Sequence, residues 1–430
     1  MEILILGGVL IGGAMLALDL ALAMILASVV VLGVLAFVPM HLIAEKAVSQ
    51  VSLYPLMAIP GFIIAGELMN ALGMTRALGE LARQLVGRWR GGMGMATLLA
   101  CMLFGGMTGS GLAETVAIGS LMIPMLVAHG YPRPFSAAMI AAGGSLGPII
   151  PPSIPMVIYA SIAPGVSIAA LFMGGILPGI LLGLGFTLVV VWRTRQLGIV
   201  ETSAGQAGEA SLGRTALEAI PALVVPGIIF YSIFTGTVTI TEASALAAGY
   251  VAAYGLVRRR LTLRALMDSG RSTLVAVGIF GFIIAAAGPF SFLMALQQAP
   301  QLIGQALMDF SGGNASLLML TVTGTLLLLG LLVEATSLVI ILAPILAGTA
   351  KIAGIDPLHM ALVSITALMI GVFTPPVGTN LFAIVSISKE PIEKVAREVL
   401  PFAAVAFVVV LLLALAPWLT TWLPHLLAQS

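Results

Sequence analysis

Apolar residues occur along this chain in long unbroken blocks, punctuated by charged residues and by glycine and proline. The blocks predict spanning α-helices over 3–18, 21–38, 53–72, 134–161, 167–192, 219–235, 241–257, 272–290, 358–386 and 399–421. Runs such as Phe402 to Leu415 lack the short alternating segments of a membrane β-barrel. The expected fold is an all-α integral membrane protein of about ten transmembrane helices.

Two further blocks, 91–127 and 314–348, are interrupted near their middles by Thr108-Gly109-Ser110-Gly111 and Glu334-Ala335-Thr336-Ser337. Each half is about 15 residues, or roughly 22 Å as helix, short for a hydrocarbon core of about 30 Å. Both are read as re-entrant hairpins with polar tips. Amphipathic stretches at 40–52, 76–90, 258–270 and 300–311 are expected to lie as interfacial arms.

Composition agrees. Of 430 residues, 60% are hydrophobic and 8% charged, against about 25% charged in a soluble domain. That excludes a soluble enzyme, and no nucleic-acid partner is expected; the partner everywhere is the lipid bilayer. The 49 glycines and 24 prolines exceed the needs of straight helices, so some helices should be broken. The single cysteine, Cys101, permits no internal disulfide and reads as small apolar filler. The first apolar run follows Met1 with no basic segment and no clear cleavage site, so the first helix is expected to stay.

Charge sets the sidedness. With the N-terminus outside, sixteen of the eighteen basic residues, Arg88 among them, fall on the cytoplasmic side, leaving Lys46 and Lys351 outside. Both termini are then extracytoplasmic. An offset of 224 carries Gly130, Gly147, Pro151 and Pro152 onto Gly354, Gly371, Pro375 and Pro376, and an offset of 220 carries Glu114 and Pro124 onto Glu334 and Pro344. The chain therefore divides into a first inverted repeat, 1–192 (hairpin 91–127, broken helix 134–161), a cytoplasmic linker, 193–218, and a second inverted repeat, 219–430 (hairpin 314–348, broken helix 358–386). Paired discontinuous helices in inverted repeats point to the midplane site of a secondary transporter.

Chemistry concentrates at the two breaks. Gly147-Pro148-Ile149-Ile150-Pro151-Pro152-Ser153-Ile154-Pro155 carries four prolines, and Gly371-Val372-Phe373-Thr374-Pro375-Pro376-Val377-Gly378-Thr379-Asn380 repeats the break with more hydroxyl and amide groups. The freed carbonyls suit a dehydrated cation such as Na⁺, and half-helix N-termini near Gly111 and Gly378 suit a carboxylate. Glu114 and Glu334 are intramembrane acids that either brace the tips or carry protons. Glu67 and Glu242 lie near span ends in structural roles. Trp89, Trp192, Trp418 and Trp422 read as interfacial belt residues, and Arg258-Arg259-Arg260 as a topology anchor. His41, His129, His359 and His425 show no metal-binding spacing.

The segments 104–126, 130–179 and 371–384, together with YPLMAIPGFIIAGELM at 54–69, resemble the large membrane subunit of tripartite ATP-independent periplasmic (TRAP) transporters, over essentially the whole chain. The resemblance implies an elevator-type, Na⁺-coupled carrier in a bacterial inner membrane, taking up C4-dicarboxylates, sialic acid or another carboxylate. It also implies a periplasmic substrate-binding protein that delivers the anion, and a small four-helix membrane subunit. Carried over by motif, one Na⁺ site falls at Ser110 with backbone oxygens of Gly147, Ile150 and Pro152. The other falls at Gly330, Gly371, Thr374 and Pro376, with Thr336 nearby. The substrate falls near Thr108, Ser153, Thr379 and Asn380. Thr-Gly-Ser-Gly stands here where many relatives look like Ser-Gly-Ser-Ser, which lowers the hydroxyl count at the first tip.

Three other classes compete. An intramembrane enzyme lacks a Ser/His or paired-Asp arrangement at matched depth. A channel or a non-catalytic scaffold has no need of two inverted broken-helix sites. A stand-alone ion-coupled organic-anion transporter of related fold is the serious alternative.

Overall fold

A computed structural model describes residues 2–15, 18–35, 38–87, 89–163, 165–199 and 212–428. Among them every regular element is helical. The first half contains α1 (Glu2–Met15), α2 (Leu20–Val34), α3 (Leu42–Val51), α4 (Ala58–Ala71), α5 (Met74–Val86), α6 (Gly92–Thr108), α7 (Gly111–Ala128), α8 (Arg133–Gly144), α9 (Ile154–Ile162) and α10 (Ile168–Gln196). The second contains α11 (Leu212–Thr235), α12 (Ile240–Val257), α13 (Leu263–Leu296), α14 (Ala299–Phe310), α15 (Ala315–Gly330), α16 (Ala335–Ala353), α17 (Pro357–Gly371), α18 (Thr379–Ser388), α19 (Ile392–Leu415) and α20 (Trp418–Ala428).

Among the described residues, seven helices are long and apolar enough to cross a bilayer: α7, α10, α11, α12, α13, α16 and α19. Two bent pairs raise the number to nine: α3 with the segment that ends in α4, bent by 56°, and α14 with α15, bent by 115°. These are not the same set as the ten spans counted from hydropathy, because α7, α16 and α15 lie in the blocks expected as hairpins, and the ten are altered for physical reasons. The expected spans 134–161 and 358–386 are each split into two short helices, and α1 and α2 have 14 and 15 residues. Pro417 closes the apolar run of α19, so the stretch expected as 399–421 divides into α19 and α20.

The stretch 258–270, expected as an interfacial arm, is instead largely the beginning of α13. Thr262 caps that helix by accepting a hydrogen bond from Ala265 N at 3.1 Å, and helix continues unbroken for 34 residues. The other three arms correspond to separate helices, α3, α5 and α14. The expected linker 193–218 is helical at both ends, in α10 and α11; its residues 200–211, like Arg88, lie outside the described residues.

Helix starts recur along the chain. Met74, Gly92, Gly111, Arg133, Ile154 and Ile168 correspond in order to Ala299, Ala315, Ala335, Pro357, Thr379 and Ile392, at separations between 223 and 225. This register corrects the pairing of Glu114 with Glu334. A separation of 224 sets Ser110 opposite Glu334 and Glu114 opposite Leu338. Ser110 and Glu334 are both N-caps, of α7 and α16, so chemically different residues perform the same capping task.

The centre is formed by the broken helices. Every residue from Leu358 to Gly371 in α17 and from Phe135 to Gly144 in α8 is buried, as expected for helices apolar on all sides. Around them pack α6, α7, α10, α15, α16 and α19. An outer group of α1 to α4 with α11 to α13 flanks this centre. Stacked and edge-on rings link Tyr131, Phe135, Phe402, Phe186 and Phe373 at centroid separations of 5.7 to 6.2 Å, tying α8, α10 and α19 to the second break. The four tryptophans are all exposed.

Candidate transport site

At the first break, helix stops after Gly144 and resumes at Ile154, with a cis peptide between Pro151 and Pro152. Ser145 N and Leu146 N still bond back to Ala142 and Gly143, and Ile149 N and Ile150 N both reach the Leu146 carbonyl. The carbonyls of Gly147, Ile150 and Pro152 accept no hydrogen bond from the described residues. Gly147 and Pro152 are buried as well. Carbonyl oxygens without a hydrogen-bond partner are the kind of neutral oxygen donor that an alkali cation takes, so the residues present fit a Na⁺ ion in chemical type.

The first hairpin tip closes over this break through glycines. A Cβ on Gly109 would come within 2.6 Å of the Pro152 carbonyl oxygen, and one on Gly105 within 2.5 Å of Gly147 Cα. A Cβ on Gly106 would lie 3.2 Å from the Pro151 oxygen. Backbone therefore meets backbone where side chains would separate them. Ser110 caps α7 only weakly, its hydroxyl accepting from Ala113 N at 3.5 Å, and it is half-buried beside the break.

At the second break, α17 ends at Gly371 and α18 starts at Thr379, with a cis peptide between Pro375 and Pro376. Gly371 lies against the carbonyl of Gly330, the last residue of α15. That carbonyl accepts no hydrogen bond from the described residues, and neither does that of Pro376. The Gly371 carbonyl takes Thr374 N at 3.2 Å, and the Thr374 hydroxyl donates to the Ile370 carbonyl at 2.6 Å, which leaves oxygen lone pairs free. Thr336 is buried near the tip, and its amide is held by Glu334 at 2.9 Å. Unlike the first break, the second is open, with Pro376 and Val377 exposed.

The substrate candidates separate into two kinds. Asn380 reaches from the second half into the first: its Nδ2 lies 3.4 Å from the Ala141 carbonyl, and a Cβ on Gly111 or Gly144 would meet the same amide at 3.3 or 3.2 Å. Thr379 is half-buried beside it at the start of α18, whose N-cap Gly378 supplies no side-chain bond, and the Asn380 amide there donates to the Val372 carbonyl at 2.8 Å. Ser153 is already engaged, donating to the Pro148 carbonyl at 2.5 Å and accepting from Met156 N at 3.3 Å as cap of α9. Thr108 packs its methyl against Gly66 of α4, and its hydroxyl has no partner. The structure thus brings Ser110, Gly147, Ile150, Pro152 and Asn380 around the first break, and Gly330, Gly371, Thr374 and Pro376 around the second.

Thr115 and the glycines of the first arm escape sequence reasoning, whereas Glu114 is expected from the sequence as an intramembrane acid. Thr115, buried with an unpartnered hydroxyl, lies against Gly144. Glu114, fully buried, lies between Gly105 and Gly147. Adding 224 to Gly106 gives Gly330, a signal that would have marked the glycines of the first arm.

Comparison with known proteins gives this architecture its class. The family described as "Tripartite ATP-independent periplasmic transporter, DctM component" matches residues 4–419. The isethionate TRAP transporter permease protein DctMQ of Oleidesulfovibrio alaskensis is 37% identical over 417 residues, covering 95% of this chain and 63% of that permease. The C4-dicarboxylate TRAP transporter large permease protein DctM of Pseudomonas aeruginosa is 36% identical over 384 residues, covering 88% of each. Among solved structures, the YdaH transporter of Alcanivorax borkumensis superposes with a TM-score of 0.65 at 17% identity, over 87% of each chain, which is a likeness of fold. The protein is a multi-pass membrane transport protein and not an enzyme. It belongs to the DctM family, the large permease component of tripartite ATP-independent periplasmic transporters.

Proposed function

We propose that this chain is the permease of a Na⁺-coupled uptake system for a small organic anion in a bacterial inner membrane. The observation that carries the reading is the pair of helix breaks, each with carbonyls that accept no hydrogen bond and each closed by the glycine-bearing end of a hairpin arm. Ser110 and the carbonyls of Gly147, Ile150 and Pro152 would hold one Na⁺. Gly330, Gly371, Thr374 and Pro376, with Thr336, would hold a second. Na⁺ supplies the driving force when it runs down its gradient.

Asn380 and Thr379, at a start of α18 that has no side-chain cap and beside the weakly capped start of α7, would hold the anion's carboxylate. Ser153 and Thr108 would line the same space. C4-dicarboxylate and isethionate, which name two relatives, support a small organic acid as the substrate. Residues 1–192 and 219–430 would act as inverted repeats, in keeping with the recurring helix starts, with both termini periplasmic and the centre moving as an elevator. A periplasmic binding protein would deliver the anion. A small four-helix membrane subunit would brace the outer group, and the DctMQ relative has length beyond this chain to hold such a part.

Uptake into proteoliposomes containing the binding protein and small subunit tests the assignment. Ser110→Leu and Thr374→Leu are each expected to abolish Na⁺-driven uptake while inserting normally. Undiminished Na⁺-dependent transport by both variants would sink it.

A further inference from the structure

Glu114 lies one turn inside α7, is fully buried, and belongs to no part of the site described so far. A Cβ on Gly105 would come within 2.6 Å of its Oε2, and one on Gly147 would come closer still. The carboxyl faces the Cys101 thiol and the Gly147 amide, and neither approach has the geometry of a full hydrogen bond. No basic residue occurs in α6, α7 or α9. Those of α5, α8 and α10 are Arg76, Arg83, Arg133, Arg193 and Arg195; Arg83 pairs with Glu80, Arg193 with Glu398, and none pairs with Glu114. A carboxyl held this way in a membrane interior is neutralised either by a proton or by a compensating positive charge. The groups proposed to hold a cation at the neighbouring break, a hydroxyl and three carbonyls, are all neutral.

The second half is built differently. Leu338 occupies the place of Glu114. The acid there, Glu334, is exposed at the tip, and its oxygens already accept from Thr336 N and Ser337 N at 2.9 and 2.7 Å. We infer that Glu114 is the counter-charge of the first cation site, standing behind Gly147, and that the two breaks consequently bind Na⁺ with unequal affinity, the first more tightly. This rests on the cation-coupled reading above. Glu114 acts through the Gly147 segment and is a positioning residue with charge, not a ligand that closes the coordination shell.

The test is Na⁺ binding by the purified full-length chain, read as the thermal midpoint against Na⁺ concentration at constant ionic strength with choline as replacement. The wild type should be stabilised by Na⁺. Glu114→Gln, which keeps the shape and removes the charge, should move the half-saturating Na⁺ concentration upward by tenfold or more. A Glu114→Gln variant that responds with the wild-type half-point overturns this inference and leaves the cation-coupled reading standing. A wild type with no Na⁺ response overturns both. If Glu114→Gln does not accumulate as folded protein, Glu114→Asp carries the test: withdrawing the charge by one methylene should shift the half-point the same way, and an unchanged half-point refutes the assignment.

Discussion

Replacing Gly371 by alanine places a methyl carbon where the end of α15 already sits. A Cβ at that position overlaps the Gly330 carbonyl and lies 2.6 Å from Gly330 Cα. Carbon atoms settle about 3.5–4.0 Å apart, so one backbone must withdraw by roughly 1 Å. Neither can do so by changing rotamer, since every clashing atom is main chain. Overpacking costs about 1–3 kcal/mol, set against a helix-propensity gain of up to about 1 kcal/mol for glycine to alanine. A net loss of about 1–2 kcal/mol and a lower thermal midpoint are expected. Function should suffer more than stability, because the displaced atom is the carbonyl proposed as a cation ligand, and a 1 Å misplacement can cost about 100-fold in a positioned site. Initial rates of Na⁺-driven uptake, measured beside the thermal midpoint, are expected to fall at least tenfold. Gly324→Ala, within α15 and with open space around the added carbon, is the control and should transport normally. Wild-type midpoint and rate in Gly371→Ala would refute the reasoning.

Two further substitutions probe the polar ties of the centre. Arg193 donates to Glu398 through Nε at 3.0 Å and Nη2 at 2.6 Å, joining the ends of α10 and α19. Glu398→Ala should lower stability by about 1–3 kcal/mol by taking the carboxylate from a guanidinium that then keeps Gln196 Oε1, at 2.6 Å from Nη1, as a side-chain partner, and Arg193→Met with Glu398→Leu should recover most of it; a double variant no better than the single would contradict this. Asn380→Leu removes the amide that reaches the Ala141 carbonyl. It should raise the substrate concentration for half-maximal uptake by tenfold or more while Na⁺ still stabilises the purified chain, and unchanged substrate dependence would remove Asn380 from the anion site.

Much of this was legible because breaks announce themselves. Four prolines between Gly147 and Pro155 cannot lie in a continuous helix, and the Gly-Pro-Pro punctuation recurs 224 residues later at the second break. Matching the halves by residue identity failed at the tips. Pairing the acids Glu114 and Glu334 required a four-residue shift that the helix starts do not contain, because capping can be met by either a hydroxyl or a carboxylate. Thr115 was invisible for another reason. Its importance comes from lying against Gly144 of the next helix, and contact between helices leaves no mark in either helix's own periodicity. The arm expected at 258–270 failed because an amphipathic stretch running into an apolar one without a helix breaker simply continues, as α13 does.

The boundary between the centre and the outer group is built unlike either. Long-range side-chain bonds run inside the outer group, where Tyr54 meets Thr239 at 3.3 Å and Thr241 reaches the Tyr54 carbonyl at 3.2 Å. Others run inside the centre, where Arg193 holds Glu398 and His359 meets Thr420 at 2.8 Å. Where the first hairpin meets α4, a methyl of Thr108 sits on Gly66. Small residues let membrane helices approach closely by van der Waals packing alone. Sliding such a contact breaks no hydrogen bond and strands no new polar group in hydrocarbon, so it costs little compared with parting Arg193 from Glu398. A centre cross-tied by charge, amide and stacked rings, which meets α4 through a methyl and a glycine, is suited to move as one body in the proposed elevator, and the Gln84–Thr215 bond at 2.8 Å places α5 with α11 on the other side of that contact.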